Sequence, residues 1–191
     1  MSQMETGGEI QTGFTVIKFI LLTGLRRMEA PTLESTWLDA SLRCIHFPDT
    51  KAGKQTRIIG KAAASLILSF RNRNESPFIF PAQFGEGHFV GAPRVLGGIA
   101  KKAGLSGVTL HTLRQTFASI GGELGFSELT LAGLLGHASR SVTQRYVHLD
   151  EALVVAANRI SERIALLIYS GRREALLGNT DLAIHDKLGA A

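Results

Sequence analysis

The sequence predicts an α+β fold that is mainly α-helical and carries a small antiparallel three-stranded sheet. Apolar residues recur at three- and four-residue steps over several stretches, and this is the helical period. Three short runs typical of strands lie close together between residues 35 and 59, with turn-forming residues between them. The chain has 191 residues and is 45% hydrophobic, which is enough for one well-buried domain and little for two.

The N-terminal part predicts a leader followed by a helix. Residues 1–13 are polar and show no period, so we expect a flexible leader there. The apolar positions of the following helix are Phe14, Ile17, Ile20 and Leu21. Gly24 should end that helix, and a second helix is predicted over 27–33, short or irregular because it contains Pro31.

The predicted strands are 35–38, 42–47 and 57–59. A turn over 49–54 separates the last two strands, and Gly53 can supply the unusual backbone angle that such a turn needs. Cys44, the single cysteine, lies in the second strand and is expected to be a small buried hydrophobe. One cysteine excludes an internal disulfide.

The rest of the chain is predicted to be helical, apart from a loop over 77–91. Helices are predicted over 61–71, 92–103 and 111–124, and two more are expected after the capping residues Ser127 and Asp150. Glycines should end two of them, at Gly104 and Gly136. The last helix has the apolar stripe Leu153, Val154, Ala157, Ile160, Ile164 and Leu167. Tyr169, at its end, is expected to pack, and residues 170–191 form a tail.

The charge balance favours a polyanionic partner. The net charge is +5 and the isoelectric point about 9.7, which does not distinguish DNA from RNA or an acidic membrane. The apolar runs are too short to span a bilayer. The first eleven residues lack a signal-peptide pattern, so a cytoplasmic protein is expected.

Five short polar motifs together offer at least two guanidiniums, two imidazoles, an ammonium and a phenol. In chain order they are Thr23-Gly24-Leu25-Arg26, Thr50-Lys51-Ala52-Gly53-Lys54, His111-Thr112-Leu113-Arg114, Leu134-Leu135-Gly136-His137 and Thr143-Gln144-Arg145-Tyr146-Val147-His148. Arginine grips two phosphate oxygens and never loses its proton, so Arg26 and Arg114 suit a phosphodiester. The set therefore favours holding a phosphodiester while a tyrosine attacks it.

Three of these residues have clear chemical requirements. His111 and Arg114 lie three residues apart on a predicted helix, so they share a face, and the imidazole can donate to a phosphate or accept a proton. A tyrosine phenol has a pKa of about 10, so Tyr146 would need a base or strong positive charge to attack at neutral pH. A metal site on His111, His137 and His148 is the competing interpretation. No cysteine or acidic ligand lies at metal spacing, and that interpretation leaves both arginines unexplained.

The order and wording of the five motifs resemble the tyrosine recombinase (phage integrase) family, over residues 14–169. The resemblance implies the catalytic-domain fold of that family, with no cofactor. It selects Arg26 over Arg27 as the first phosphate-binding arginine. It implies that Tyr146 is the nucleophile, that His137 is a second phosphate-binding imidazole and that Lys51, with Lys54 as its rival, protonates the leaving 5′-oxygen.

Further expectations come from the same resemblance. Glu29 could pair with and orient Arg26, and His148 is expected to be structural. Gln115 stands where the family usually has a histidine, at a position expected to be secondary. Nothing before Phe14 could form the family's N-terminal core-binding domain. The chain is therefore expected to be an excised domain or a truncated remnant.

The expected function is site-specific DNA recombination or integration, as on mobile elements, through a 3′-phosphotyrosyl intermediate. The expected partner is double-stranded DNA, bound by a homo-tetramer, with a monomer in its absence and a nucleoid-associated location. The tail over 170–191 could then pack on a neighbouring subunit. The alternatives are a catalytically silent DNA-binding remnant and a DNA-relaxing enzyme of the type IB topoisomerase kind.

Overall fold

A computed structural model describes residues 3–39, 41, 43–48, 53–70, 76–136 and 151–170. It shows the expected architecture, mostly helices with one small antiparallel sheet. In chain order the elements are α1 (Gln3–Thr23), β1 (Leu38–Asp39), β2 (Cys44–Phe47), β3 (Gln55–Ile58), α2 (Lys61–Phe70), α3 (Ala92–Lys102), α4 (Leu110–Glu123) and α5 (Glu128–Leu135). Residues 151–170 form a further helix, α6.

Helix α1 begins at Gln3, so the prediction of a leader over 1–13 is wrong for residues 3–13. The helix packs against α2, α3 and α4, and Val16, Phe19 and Ile20 are fully buried. Among residues 10–23 the buried positions lie from Gly13 onward, and residues 3–12 extend the same helix. Phe14, predicted on the apolar stripe, lies on the exposed side instead.

Close packing between α1 and α3 requires Gly13. A Cβ atom built on Gly13 would lie 2.5 Å from Cγ2 of Val95, closer than real Cβ contacts come. The absence of a side chain therefore lets the two helices approach each other.

The polypeptide after α1 does not form the helix predicted over 27–33. It runs through consecutive turns, with Ala30 N–H donating to the carbonyl of Arg26 at 3.4 Å and Leu33 N–H donating to the carbonyl of Ala30 at 3.3 Å. These bonds are long, and Pro31 lies between them. Proline lacks the N–H donor that a regular helix needs there, which explains the difference.

The sheet has the order β1-β2-β3, and both pairs are antiparallel. The predicted first strand, 35–38, is mostly a 3₁₀ turn over Ser35–Trp37, and only its last residue pairs. The preceding polypeptide bonds elsewhere, since Ser35 N–H donates to the carbonyl of Pro77 at 2.8 Å. Gly53, at φ +85°, has the unusual backbone angle expected of the turn between β2 and β3.

The predicted helix boundaries at Gly104, Ser127 and Gly136 are confirmed, and Thr109, which was not predicted, caps the start of α4. The Thr109 hydroxyl accepts from the Thr112 N–H as the N-cap of α4, and the Ser127 hydroxyl accepts from the Thr130 N–H as that of α5. Gly104 has φ +66°, and Gly136 caps the C-terminus of α5 in the left-handed conformation with φ +68°. Capping residues thus fix both helices that carry the third and fourth motifs.

Helix α6 covers the core with its Ala156 and Ile160, which are fully buried. Leu167 and Tyr169 were expected to pack, but they are 46% and 65% exposed, whereas Ile168 between them packs against the core. Asn158 of α6 accepts from the backbone N–H of Lys61 at 3.0 Å, so α6 is tied to the start of α2.

Several expectations concern residues outside the described part of the chain. These are the capping role of Asp150, the positions of Lys51, His137, Tyr146 and His148, and the tail beyond residue 170. Within the described ranges, no helix is both long and apolar enough to cross a membrane.

Candidate functional site

Arg26 reaches the surface because α1 ends abruptly just before it. Gly24 takes φ +66°, and a Cβ there would lie 2.8 Å from side-chain atoms of both Leu135 and Phe117. Leu25 is then buried, and the side chain of Arg26 is 43% exposed. The end of α1 therefore presses against α4 and α5 and leaves Arg26 beside them, within reach of a ligand in solvent.

Glu29 fixes Arg26 in two ways. Nη1 of Arg26 lies 2.5 Å from Oε1 of Glu29, and the backbone N–H of Arg26 donates to Oε2 of Glu29 at 2.9 Å. Nη2 of Arg26 donates to the carbonyl of Gly136 at 3.2 Å. The sequence-based expectation that Glu29 pairs with Arg26 is confirmed.

Arg114 is held more deeply, on the buried face of α4. Its side chain is 6% exposed, with Nη1 donating to the carbonyl of Gly24 at 2.6 Å and Nη2 donating to the carbonyl of Leu135 at 2.8 Å. One guanidinium thus joins the end of α1 to the end of α5. Arginine is suited to this bridge because its planar fork presents several donors in fixed directions.

The structure brings the two predicted arginines together at the C-terminus of α5. Arg114 and Arg26 donate to the consecutive carbonyls of Leu135 and Gly136. These carbonyls lack helical partners, and the end of a helix carries partial negative charge, so both guanidiniums are well placed there. The two cations therefore lie next to each other, on the two carbonyls that come immediately before His137 in the chain.

The cluster keeps a surplus of positive charge. Burial, and then the nearby charge of Arg26, lowers the pKa of Arg114 to about 10, while Glu29 opposes the change. A pKa of about 10 leaves Arg114 protonated at neutral pH. Charges of one sign gathered at a surface attract a polyanion, and Glu29 is the acidic group that both arginines face within the described residues.

His111 occupies the first turn of α4, three residues before Arg114, and is exposed. It lines a cavity of about 390 Å³ together with Arg27, Leu96 and Thr109. The structure therefore places His111 on the same helix as Arg114, close to the turn that follows Arg26. Its neighbour in this cavity is Arg27, the residue considered as the rival of Arg26.

Lys51, His137 and Tyr146 lie outside the described residues. Their neighbours in the chain are described. Lys51 belongs to the connection between β2 and β3, His137 directly follows Gly136, and Tyr146 falls between α5 and α6.

The sequence analysis missed Arg57, which completes the cluster. Its side chain, on β3, is 3% exposed, and its Nη2 lies 3.5 Å from the same Glu29 oxygen that binds Arg26. Burial lowers the pKa of Arg57, and the charge of Glu29 opposes this. One signal was present, because Arg57 shares a strand face with Ile59, two residues on, and Ile59 is buried.

The described residues contain no group of three or more histidine, cysteine, aspartate or glutamate side chains that could hold a metal ion. His111, one of the three histidines weighed for a metal site, is within that part of the chain. The polar groups that do converge are guanidiniums, which bind anions.

Comparisons with known proteins show the family and the fold of this chain. The family model described as the phage integrase family matches residues 7–152. The tyrosine recombinase XerD of Listeria monocytogenes serotype 4b (strain F2365) is 31% identical over 149 residues, which are 71% of this chain and 50% of that protein. The chain thus spans about half the length of this relative.

Solved structures show the same fold. An integrase from mycobacterium phage Brujita superposes with a TM-score of 0.64 at 16% identity, over 83% of this chain and 56% of that one. The XerH site-specific recombinase, bound to a palindromic difH substrate in a post-cleavage complex, gives a TM-score of 0.54 at 22% identity, over 79% of this chain and 50% of that one.

Proposed function

This chain belongs to the phage integrase family of tyrosine recombinases, and on that premise we propose that it is the catalytic domain of a site-specific DNA recombinase. It would cleave and rejoin DNA through a 3′-phosphotyrosyl intermediate. The observation that carries the proposal is the pair of guanidiniums, Arg26 and Arg114, held side by side on the carbonyls that end α5.

The pair suits the charge that develops at phosphorus. A phosphodiester repels nucleophiles, and further negative charge builds on its non-bridging oxygens as the pentacoordinate transition state forms. Donors fixed in advance lower that barrier, because they need no reorganisation during the reaction. Arg26 is tied to Glu29 and Gly136 and is still 43% exposed, so a phosphate could reach its guanidinium from solvent.

The proposed reaction is a transesterification. His111 accepts the proton of the Tyr146 hydroxyl as its Oη attacks the scissile phosphorus, the bond to the 5′-oxygen breaks, and Lys51 gives that oxygen its proton. Arg26, Arg114, His111 and His137 stabilise the charged phosphorus centre. The 5′-hydroxyl of another strand then attacks the phosphotyrosyl bond, which forms a new DNA phosphodiester and releases Tyr146. One phosphodiester replaces another, so the reaction needs no nucleotide as an energy source.

Double-stranded DNA is the proposed partner. The net charge of +5 and the exposed Arg26 favour binding to its phosphates. We further propose a homo-tetramer on paired sites, since strand exchange joins two duplexes that are each cut on both strands. A reaction on chromosomal DNA would place the protein at the nucleoid, in the cytoplasm.

The test is covalent trapping on nicked suicide duplexes taken from the surrounding genomic DNA, in which the cleaved fragment diffuses away and prevents rejoining. The expected result is a protein–DNA band on a denaturing gel that disappears for Tyr146→Phe. A band of equal intensity with Tyr146→Phe would contradict the proposed nucleophile. DNA binding without any band would instead support a silent DNA-binding module.

A further inference from the structure

Arg57 is one of two buried arginines among the described residues, and the proposed reaction gives it no role. Arg114, the other, bridges two helix ends in the site. A buried cation carries a large desolvation cost unless it is paired, so its presence on β3 requires an explanation.

The contacts of Arg57 converge on the partners of Arg26. Nη2 of Arg57 donates to Oε1 of Gln55 at 2.6 Å and lies 3.5 Å from Oε1 of Glu29. That same Glu29 oxygen binds Nη1 of Arg26 at 2.5 Å. Glu29 therefore lies between an exposed and a buried guanidinium, and the buried one holds its carboxylate from the protein side.

The second partner of Arg26 is Gly136, and Arg57 contacts that residue too. A Cβ atom built on Gly136 would overlap Cζ, Nη1 and Nη2 of the Arg57 guanidinium. The guanidinium thus lies directly against the Gly136 backbone, whose carbonyl accepts from Nη2 of Arg26. Arg57 consequently supports both groups that fix the direction of Arg26.

The unused donor of Arg57 fits this role. Within the described residues its buried Nε has no hydrogen-bond partner, whereas its Nη2 is engaged. Buried donors in proteins are almost always hydrogen-bonded, so a buried Nε without a partner among these residues requires an explanation. The guanidinium lies between Glu29 and Gly136, although this position leaves its Nε without a partner among the described residues.

We propose that Arg57 is a positioning residue that holds Glu29 and the Gly136 turn so that Arg26 points at the scissile phosphate; this rests on the proposed function, because Arg57 acts through Arg26. It also links β3, which follows the connection containing Lys51, to the turn that precedes His137. Arg57 touches no substrate in this account.

The test compares Arg57→Met and Arg57→Lys with Arg43→Met. Arg43 is a suitable control because it is also an arginine beside the sheet, but its Nη1 donates to Asn158 at 2.7 Å, away from Glu29. Each variant is measured for thermal unfolding, for the rate of covalent trapping on nicked duplex, and for the ¹⁵N–¹H signal of the Arg26 Nε–H in the protein without DNA.

Arg57→Met should reduce the trapping rate by about 10²-fold, the order expected for a misplaced catalytic group, when the rate is measured at a temperature where the variant remains folded. Arg57→Lys, which keeps the charge and loses the fork, should lose less. In both variants the Arg26 signal should move towards the position of exposed arginines. In an Arg26→Lys background Arg57→Met should cost little further rate.

Two results would overturn the inference: an Arg26 signal that is unchanged in both Arg57 variants, or a full loss of rate that persists in the Arg26→Lys background. The signal is read without DNA, so it decides the role of Arg57 even if the wild-type protein forms no covalent complex. Absence of that complex would contradict the proposed function alone.

Discussion

Arg114 shows at the residue scale how burial and charge are combined in the site. Its guanidinium is almost fully enclosed and still protonated at neutral pH, since its pKa remains at about 10. Two short bonds to backbone carbonyls hold it in one orientation. A side chain fixed in this way can meet developing charge without first rearranging.

Arg114→Lys is therefore expected to reduce the covalent trapping rate by about 10²–10³-fold, as for the loss of one fixed donor to a transition state. Lysine keeps the charge, but a single ammonium does not reproduce the fork that spans Gly24 and Leu135. The rate is measured in single-turnover trapping, with Arg43→Lys as the control. A rate within about threefold of the wild type would contradict the role assigned to Arg114.

The sequence predicted Arg26 and Arg114 but not Arg57, and the difference is physical. The first two lie in short motifs that can be recognised from the adjacent residues alone. The partners of Arg57, by contrast, are Glu29 and Gly136, which are far from it in the chain. Long-range contacts of this kind leave only an indirect trace in the sequence, here an arginine on the same strand face as buried Ile59.

At the scale of elements, α4 and α5 were predicted well and the N-terminal region was not. Caps at Thr109 and Ser127 and the left-handed Gly136 are local signals, so the sequence determines those boundaries. Helix α1 depends on packing with three other helices, which no local pattern reports. The polar sequence of its first turns, taken alone, predicts a flexible leader.

Gly13→Ala tests the packing of α1 directly. In an open helix this change would stabilise by about 1 kcal/mol, through helix propensity. Here the added Cβ would lie 2.5 Å from Val95, so we expect a lower free energy of unfolding instead, by about 1–3 kcal/mol. The measurement is denaturant unfolding of the full chain.

The matched control is Gly97→Ala on α3, where a Cβ meets nothing within 4 Å and the change should stabilise. The double variant Gly13→Ala, Val95→Ala should recover part of the loss, because it removes the clashing methyl groups. Equal stabilisation by Gly13→Ala and Gly97→Ala would show that α1 and α3 do not approach as described.

At the scale of the whole molecule, the sheet and the helices bring their polar residues to one place. Arg26 follows the end of α1, Arg114 lies on α4 and Arg57 lies on β3. At the end of α5, Arg114 binds the carbonyl of Leu135, Arg26 binds the carbonyl of Gly136, and Arg57 lies against the Gly136 backbone. The family fold and the nature of the site could be predicted from motif order, whereas the way in which four elements support one another required the structure.

An arginine-based site also predicts how the reaction responds to chelators. The charge at phosphorus is neutralised by guanidiniums and imidazoles in this account, so covalent trapping in excess EDTA should proceed at the rate seen with added Mg²⁺. The comparison uses the same nicked duplex and protein. A loss of more than about tenfold on chelation would show that a divalent ion takes part.

The central claim is that Tyr146 becomes joined to a DNA 3′-phosphate. The most direct measurement is mass spectrometry of the trapped complex after nuclease and protease digestion, which locates the nucleotide on a peptide. The account predicts a nucleotide attached through its 3′-phosphate to Tyr146. Attachment at Tyr169 or any other residue, or through a 5′-phosphate, would contradict it.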